Sequence, residues 1–242
     1  VALVAHHAVM DEWSMSIVMR ELGALYESAS RGRSVRSASR RLGRPSRQLA
    51  DYAAWQRSRS SAEAMAAEAG WWREYMGSAP LVLDLSSDRA RPSRRSAGVV
   101  RGRASVGVEG SSRVRSMSSS SGVSVFSAMA AWWCVVLSRR SGCPDRVCVG
   151  TAVSGRGAMS GLESAVGFFV NSLPVCVSVD ETRTSLESAS REAMRSVSSV
   201  SDRVWCPLER VAEAVGADRS SGASPVFQTM LTFVGRGDAS LS

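Results

Sequence analysis

Two apolar runs constrain this 242-residue chain most: RVCVGTAV (146–153) and FFVNSLPVCVSV (168–179). Both are short, Val-rich and flanked by segments of helical period, so both read as strands that need helices to cover them. In SMSIVMRELGALYES (14–28), Ile17, Val18, Leu22 and Leu25 recur at helical spacing, and Ser14 suits an N-cap. LADYAAWQRSR (49–59), AEAMAAEAGWWREYMG (62–77), 109–118, 124–139, 184–200 and 207–215 also read as helices. VALVAHH (1–7), 98–106 and 225–234 read as further strands, 28–47 as a solvated Ser/Arg/Gly linker, and 79–95 as an extended connector. Helices interleaved with apolar strands predict an α/β fold. Trp71, Trp72, Trp132 and Trp133, paired at helical positions beside small apolar residues, read as core.

Charge and cysteine content exclude several function classes. The net charge is +8, and every one of the 30 basic residues is Arg. The arginines run along the whole chain, with clustering in SRGRSVRSASRRLGRPSR (30–47), and no aromatics interleave with that cluster. Total replacement of Lys by Arg fits codon bias better than nucleic-acid binding. No apolar run approaches a membrane span, and the first residues lack the pattern of a signal peptide. The reading is therefore a soluble, cytoplasmic protein with neither nucleic-acid nor membrane partners. Cys134, Cys143, Cys148, Cys176 and Cys206 form no C-x-x-C pair, which argues against a zinc site or a disulfide framework and for buried thiols. No Gly-rich phosphate loop is present, so no nucleotide is expected.

The chain's only histidines are adjacent, in HHAVMDEWS (6–14), where an apolar run meets a helical pattern. Strand geometry would aim His6 and His7 to opposite sides, one held by the core and one directed into a cleft. Asp11, four residues on, can pin the turn through an arginine. The outcome would be one oriented imidazole able to accept a proton near neutral pH.

This stretch resembles the HHxxxDG motif of the condensation domains of nonribosomal peptide synthetases. Further segments resemble that family in its own order: ADYAAWQR (50–57), WWREYMGSAPLVLDLSSDRARP (71–92), VGTAVSGR (149–156), VGFFVNSLPVCV (166–177), CPLERVAEAV (206–215) and DRSSGASPVFQTMLTF (218–233). Two departures stand out. Glu12 replaces the motif's Gly, which would demand ordinary backbone angles or a rearranged loop, and Arg203, Val204 and Trp205 occupy the place of the family's HQD triplet. The resemblance also places the start of this sequence within the domain, with an Arg partner for Asp11 upstream and Arg156 as the alternative.

The resemblance implies a chloramphenicol acetyltransferase-like, two-lobed α/β sandwich, represented in part. Residues 1–48 would end the N-terminal lobe and 49–242 would form most of the C-terminal lobe. It implies amide-bond formation between a donor acyl or peptidyl thioester and an acceptor aminoacyl thioester. Both would be carried on phosphopantetheine arms of donor and acceptor carrier proteins, with an adenylation domain as neighbour and no cofactor bound directly. His7 would serve the acceptor amine, His6 would orient the turn and Asp11 would fix it. Asn171 would stand near the substrate tunnel or be a buried amide, and Ser14 reads as a cap rather than a nucleophile. Two other outcomes remain open: a non-catalytic, condensation-like binding platform, and an epimerization domain, which shares the histidine motif.

Overall fold

A computed structural model describes residues 2–86, 98–142, 144–180, 184–218 and 223–234. Cys143, residues 87–95 of the connector and residues 219–222 of the last similar segment lie outside the described residues. The described residues form eight helices: α1 (Glu12–Ser30), α2 (Val35–Leu42), α3 (Leu49–Ser58), α4 (Ala62–Met76), α5 (Val108–Ser120), α6 (Val125–Arg140), α7 (Leu186–Ser201) and α8 (Leu208–Ala214). Two strands, β1 (Arg146–Ser154) and β2 (Val170–Ser178), form the sheet, and a 3-10 turn (Gly155–Ala158) follows β1.

The sheet is antiparallel, as the flanking bonds show: Gly155 N–H to Phe169 O at 2.6 Å and Val179 N–H to Asp145 O at 2.7 Å. This register pairs odd-numbered residues through hydrogen bonds and turns the N–H groups of even-numbered ones away from the partner strand. Pro174 therefore costs the ladder no bond. The Cys176 N–H instead donates to the Tyr75 hydroxyl of α4 at 3.0 Å and the Gly150 N–H to Thr229 O at 2.9 Å. Cys148 and Cys176 stand directly opposite each other and are joined by a disulfide. Sequence spacing could not show this, and it corrects the expectation of free thiols at these two positions. Cys134 and Cys206 are buried thiols, and burial pushes both up to about 12.

The chain forms two compact units, one from Val1–Met65 and Val153–Asn171, the other from Ala66–Ala152 and Ser172–Phe233. The first unit thus takes residues from both sides of position 48. Its core gathers Tyr52 of α3 with Leu162, Ala165 and Phe169, and α1 packs with α2. In the second unit α6 packs on α7, with Ala128, Ala131 and Cys134 buried on one and Ala189, Ala193 and Val200 on the other. Trp72 is fully buried there, Trp71 and Trp132 are half-buried, and Trp133 lies at the surface, so the tryptophan pairs divide between core and exterior.

Four expected elements differ. Residues 2–6, 98–106 and 223–228 have no strand partner among the described residues, because an extended run becomes a strand only where a neighbour takes up its backbone bonds. Of 225–234 only Met230 pairs, in one parallel bridge to Gly150. Conversely, the expected linker holds α2, which starts at the Ser34 cap and stops at Gly43 with φ of 77°. The α/β class holds.

Candidate active site

The site is built within the first unit, from the turn before α1 and the segment entering β2. Asp11 is the N-cap of α1: its Oδ1 accepts the Ser14 N–H at 2.8 Å, satisfying one of the helix's orphan donors. Ser14, expected to be the cap, lies inside the helix. The same Oδ1 accepts the Nη2–H of Arg156 at 2.9 Å, and Oδ2 accepts the Phe169 N–H at 3.1 Å. The Asp11–Arg156 ion pair is almost wholly buried, with side-chain exposures of 2% and 6%. Burial pushes the Asp11 carboxyl up, but the Ser14 hydroxyl and N–H, the Arg156 guanidinium and the Phe169 N–H outweigh it and hold the group below its ordinary value.

Arg156 uses all four of its Nη protons. Nη1 donates to Leu162 O and Ala165 O, both at 2.7 Å, and Nη2 to Asp11 and to Ser14 Oγ at 2.8 Å. Its guanidinium also lies 4.3 Å from the centre of the Phe169 ring. Ser14 Oγ sits at the crossing of the network, accepting from Arg156 and from Gly167 N–H at 3.0 Å. Its own proton lies between Asp11 Oδ1 (2.7 Å) and Gly167 O (2.8 Å). Gly167 permits this closeness, because a Cβ there would lie 2.9 Å from the Phe169 ring and 3.1 Å from Leu49 Cβ. The roles of Gly167 and Phe169 were not legible beforehand, since they act through backbone groups; VGFFVNS pointed to the segment only as a whole.

Both histidines precede the cap, and both are exposed. They lie in a turn closed by the Val9 N–H to His6 O bond at 3.0 Å, so the expected strand alternation with one buried ring does not occur. The turn gives the two rings opposite roles. His6 Nδ1 accepts the Ala8 N–H at 3.1 Å, so that nitrogen carries no proton. His7 Nδ1 lies 2.9 Å from Met10 O, a group that only accepts, so Nδ1 carries the proton and the neutral ring keeps its lone pair on Nε2. Phe168 meets the His7 ring edge-on at 5.2 Å. Asp11 makes its carboxylate bonds to Ser14, Arg156 and Phe169, which suits a positioning group and not a proton relay. Asn171 is half-buried at the second position of β2. Among the described residues no cluster of metal-ligating side chains occurs and no single helix is long and apolar enough to cross a membrane.

A family model described as the condensation domain matches residues 1–240. The chain belongs to the condensation domain family. It is 33% identical over 239 residues to malpinin synthetase of Mortierella alpina, a match that covers 99% of this chain and 3% of that protein. The X-domain from teicoplanin biosynthesis superimposes with a TM-score of 0.72 at 22% identity, over 93% of this chain and 49% of that one. SgcC5 protein from Streptomyces globisporus gives 0.70 at 27% identity, over 96% and 51%. The chain thus spans about half of these solved proteins and a small fraction of the curated relative, and its fold is the α/β fold of the family.

Both family departures are accommodated structurally. Glu12 opens α1 with helical backbone angles, where its charge complements the helix N-terminus, so no rearranged loop is needed. In the second unit Val204 and Trp205 are buried, and Arg203 stacks on Trp71 at 3.7 Å beside Glu68 at 3.4 Å.

Proposed function

We propose that this chain takes part in amide-bond formation between two carrier-bound thioesters in nonribosomal peptide synthesis, with His7 serving the acceptor amine. The observation that carries the reading is the fixed tautomer of His7, set by Met10 O within a turn anchored through Asp11 and Arg156. Membership of the condensation domain family supplies the reaction class. A thioester is already activated, so the chemistry needs little covalent help. Holding amine and carbonyl in attack geometry supplies about 7–11 kcal/mol. The amine nitrogen attacks the thioester carbonyl, the thiolate leaves, and His7 Nε2 takes or holds the amine proton, worth about 10²–10⁴-fold. His6, with Nδ1 committed to the turn, orients His7. The phosphopantetheine arms belong to donor and acceptor carrier proteins, with an adenylation domain supplying the aminoacyl group.

The test uses the protein at its natural length, with loaded donor and acceptor carrier proteins and mass spectrometry of the dipeptidyl thioester. His7→Ala should lower product formation by about 10²–10⁴-fold, while His6→Ala should lose less. Equal rates for wild type and His7→Ala would end the assignment of His7. A second reading, a non-catalytic platform, draws on the replacement of the family's HQD triplet by the packed Arg203, Val204 and Trp205. It is favoured if folded wild-type protein forms no product with several carrier pairs and Glu12→Gly does not restore it.

A further inference from the structure

The net charge of +8 is concentrated where the arginines cluster. Residues 31–47 hold seven arginines and no acidic residue, which leaves the rest of the chain a net charge of only +1. These arginines lie on α2 and its flanking turns, and all are exposed. Arg31 pairs with Glu27 at 2.8 Å; Arg33, Arg36, Arg40, Arg41, Arg44 and Arg47 have no carboxylate partner among the described residues. Like charges this dense repel one another; Arg40 and Arg41 complement the C-terminus of α2, but Arg33, Arg36, Arg44 and Arg47 lie outside that last turn, and α2 is seated by Ala38, the helix's one buried residue. Between α1 and α2 a cleft of about 270 Å³ opens, and Arg31, Arg33 and Arg41 line it together with Glu27.

We infer that α2 and its flanking turns form a docking surface for an acidic protein surface, with one carboxylate side chain of the partner entering the cleft between Arg33 and Arg41. Charge complementarity selects an anionic partner. The composition favours a protein: arginine is enriched at protein interfaces, and Val35 and Leu42 stand exposed beside the arginines, at 45% and 36%, as apolar surface that a protein partner can cover. A surface for single-stranded nucleic acid would instead interleave aromatic side chains for stacking, and none lies between residues 28 and 48. Arginine suits the task because its planar fork binds carboxylates in a fixed geometry. The surface steers association and sets partner choice, and it stands apart from the amide-forming reading, which needs only the turn before α1.

The test is a binding measurement on the whole chain by fluorescence anisotropy. The probe is a labelled, alanine-based helical peptide with Glu at i, i+4 spacing, compared with its Gln counterpart and with a DNA duplex. One variant reverses four charges on the surface (Arg33→Glu, Arg36→Glu, Arg40→Glu, Arg41→Glu). A second reverses four exposed arginines elsewhere (Arg101, Arg103, Arg115 and Arg195 to Glu), so the total charge changes equally. Gln at the four surface positions gives a milder third variant, and circular dichroism verifies that each folds. The surface variants should weaken binding of the Glu peptide by about tenfold or more and flatten its salt dependence, with the distant variant near wild type. Equal losses in both reversal variants would overturn the proposal, reducing it to bulk charge. So would tighter binding of the duplex than of the peptide, which would make the patch a nucleic-acid site.

Discussion

Asp11 carries more of the site than either histidine. It caps α1, ties the start of β2 to that cap through Phe169 N–H, and is the buried counter-ion of Arg156. Replacing it with Asn keeps a capping side chain but leaves the guanidinium uncompensated, so unfolding at neutral pH should cost about 3–5 kcal/mol less in the variant. The pH dependence follows from the lowered carboxyl. A group held below its unfolded value, 3.8, contributes stability that is complete above that value and is lost as pH falls through the lower folded one. The gap between wild type and Asp11→Asn should therefore be level from pH 7 to about 5 and close as the pH drops below 3.8. Urea titrations across that range check it, and a gap independent of pH would show that the ion pair is not the source. The sequence named Asp11 and Arg156 and left their pairing open. It could not show that Ser14 and three backbone groups of the 167–169 segment close the same network, because those contacts span more than 150 positions in the chain.

Register decides what the elements contribute. In β1, Gly150 faces Phe227, and a Cβ added there would stand 2.8 Å from the ring's far carbon and nearer still to its edge. Phe227 is itself buried, so the ring has little room to yield. Gly150→Ala should destabilise by about 1–3 kcal/mol, and Phe227→Leu in that background should recover part of the loss, a coupling a double-mutant cycle measures. Additive effects would show that the ring and the glycine do not meet. Helices were the legible part. The windows for α3, α4 and α6 were placed to within a residue or two, since helical period and caps are local signals. Strands were legible only where a partner exists: β1 and β2 were found, whereas 2–6 and 98–106, also rich in Val and Ala, have no strand partner among the described residues. The helix α2 was read as linker because Ser and Arg dominate it, although Ser34 and Gly43 marked both ends.

At the scale of the molecule, the two units differ in what holds them together. The first relies on a small cluster around Tyr52, Leu162 and Phe169 and on the Asp11–Arg156 network. The second fully buries Trp72, Val147, Val149, Leu173, Val175, Val177 and Val200 among its helices and the greater part of both strands. A charge network in a thin apolar core gains less on folding than extensive apolar burial, so the first unit has the lower opening free energy. Unfolding should then be stepwise rather than two-state. In hydrogen exchange under moderate denaturant, the amides of Ser14, Gly167 and Phe169 should lose protection before those of 147–149 and 175–177. Asp11→Asn should advance the first step and leave the second in place, because the carboxylate bonds only within its own unit. One common exchange free energy across both sets, shifted equally by the substitution, would instead mean that the chain opens as a single cooperative body.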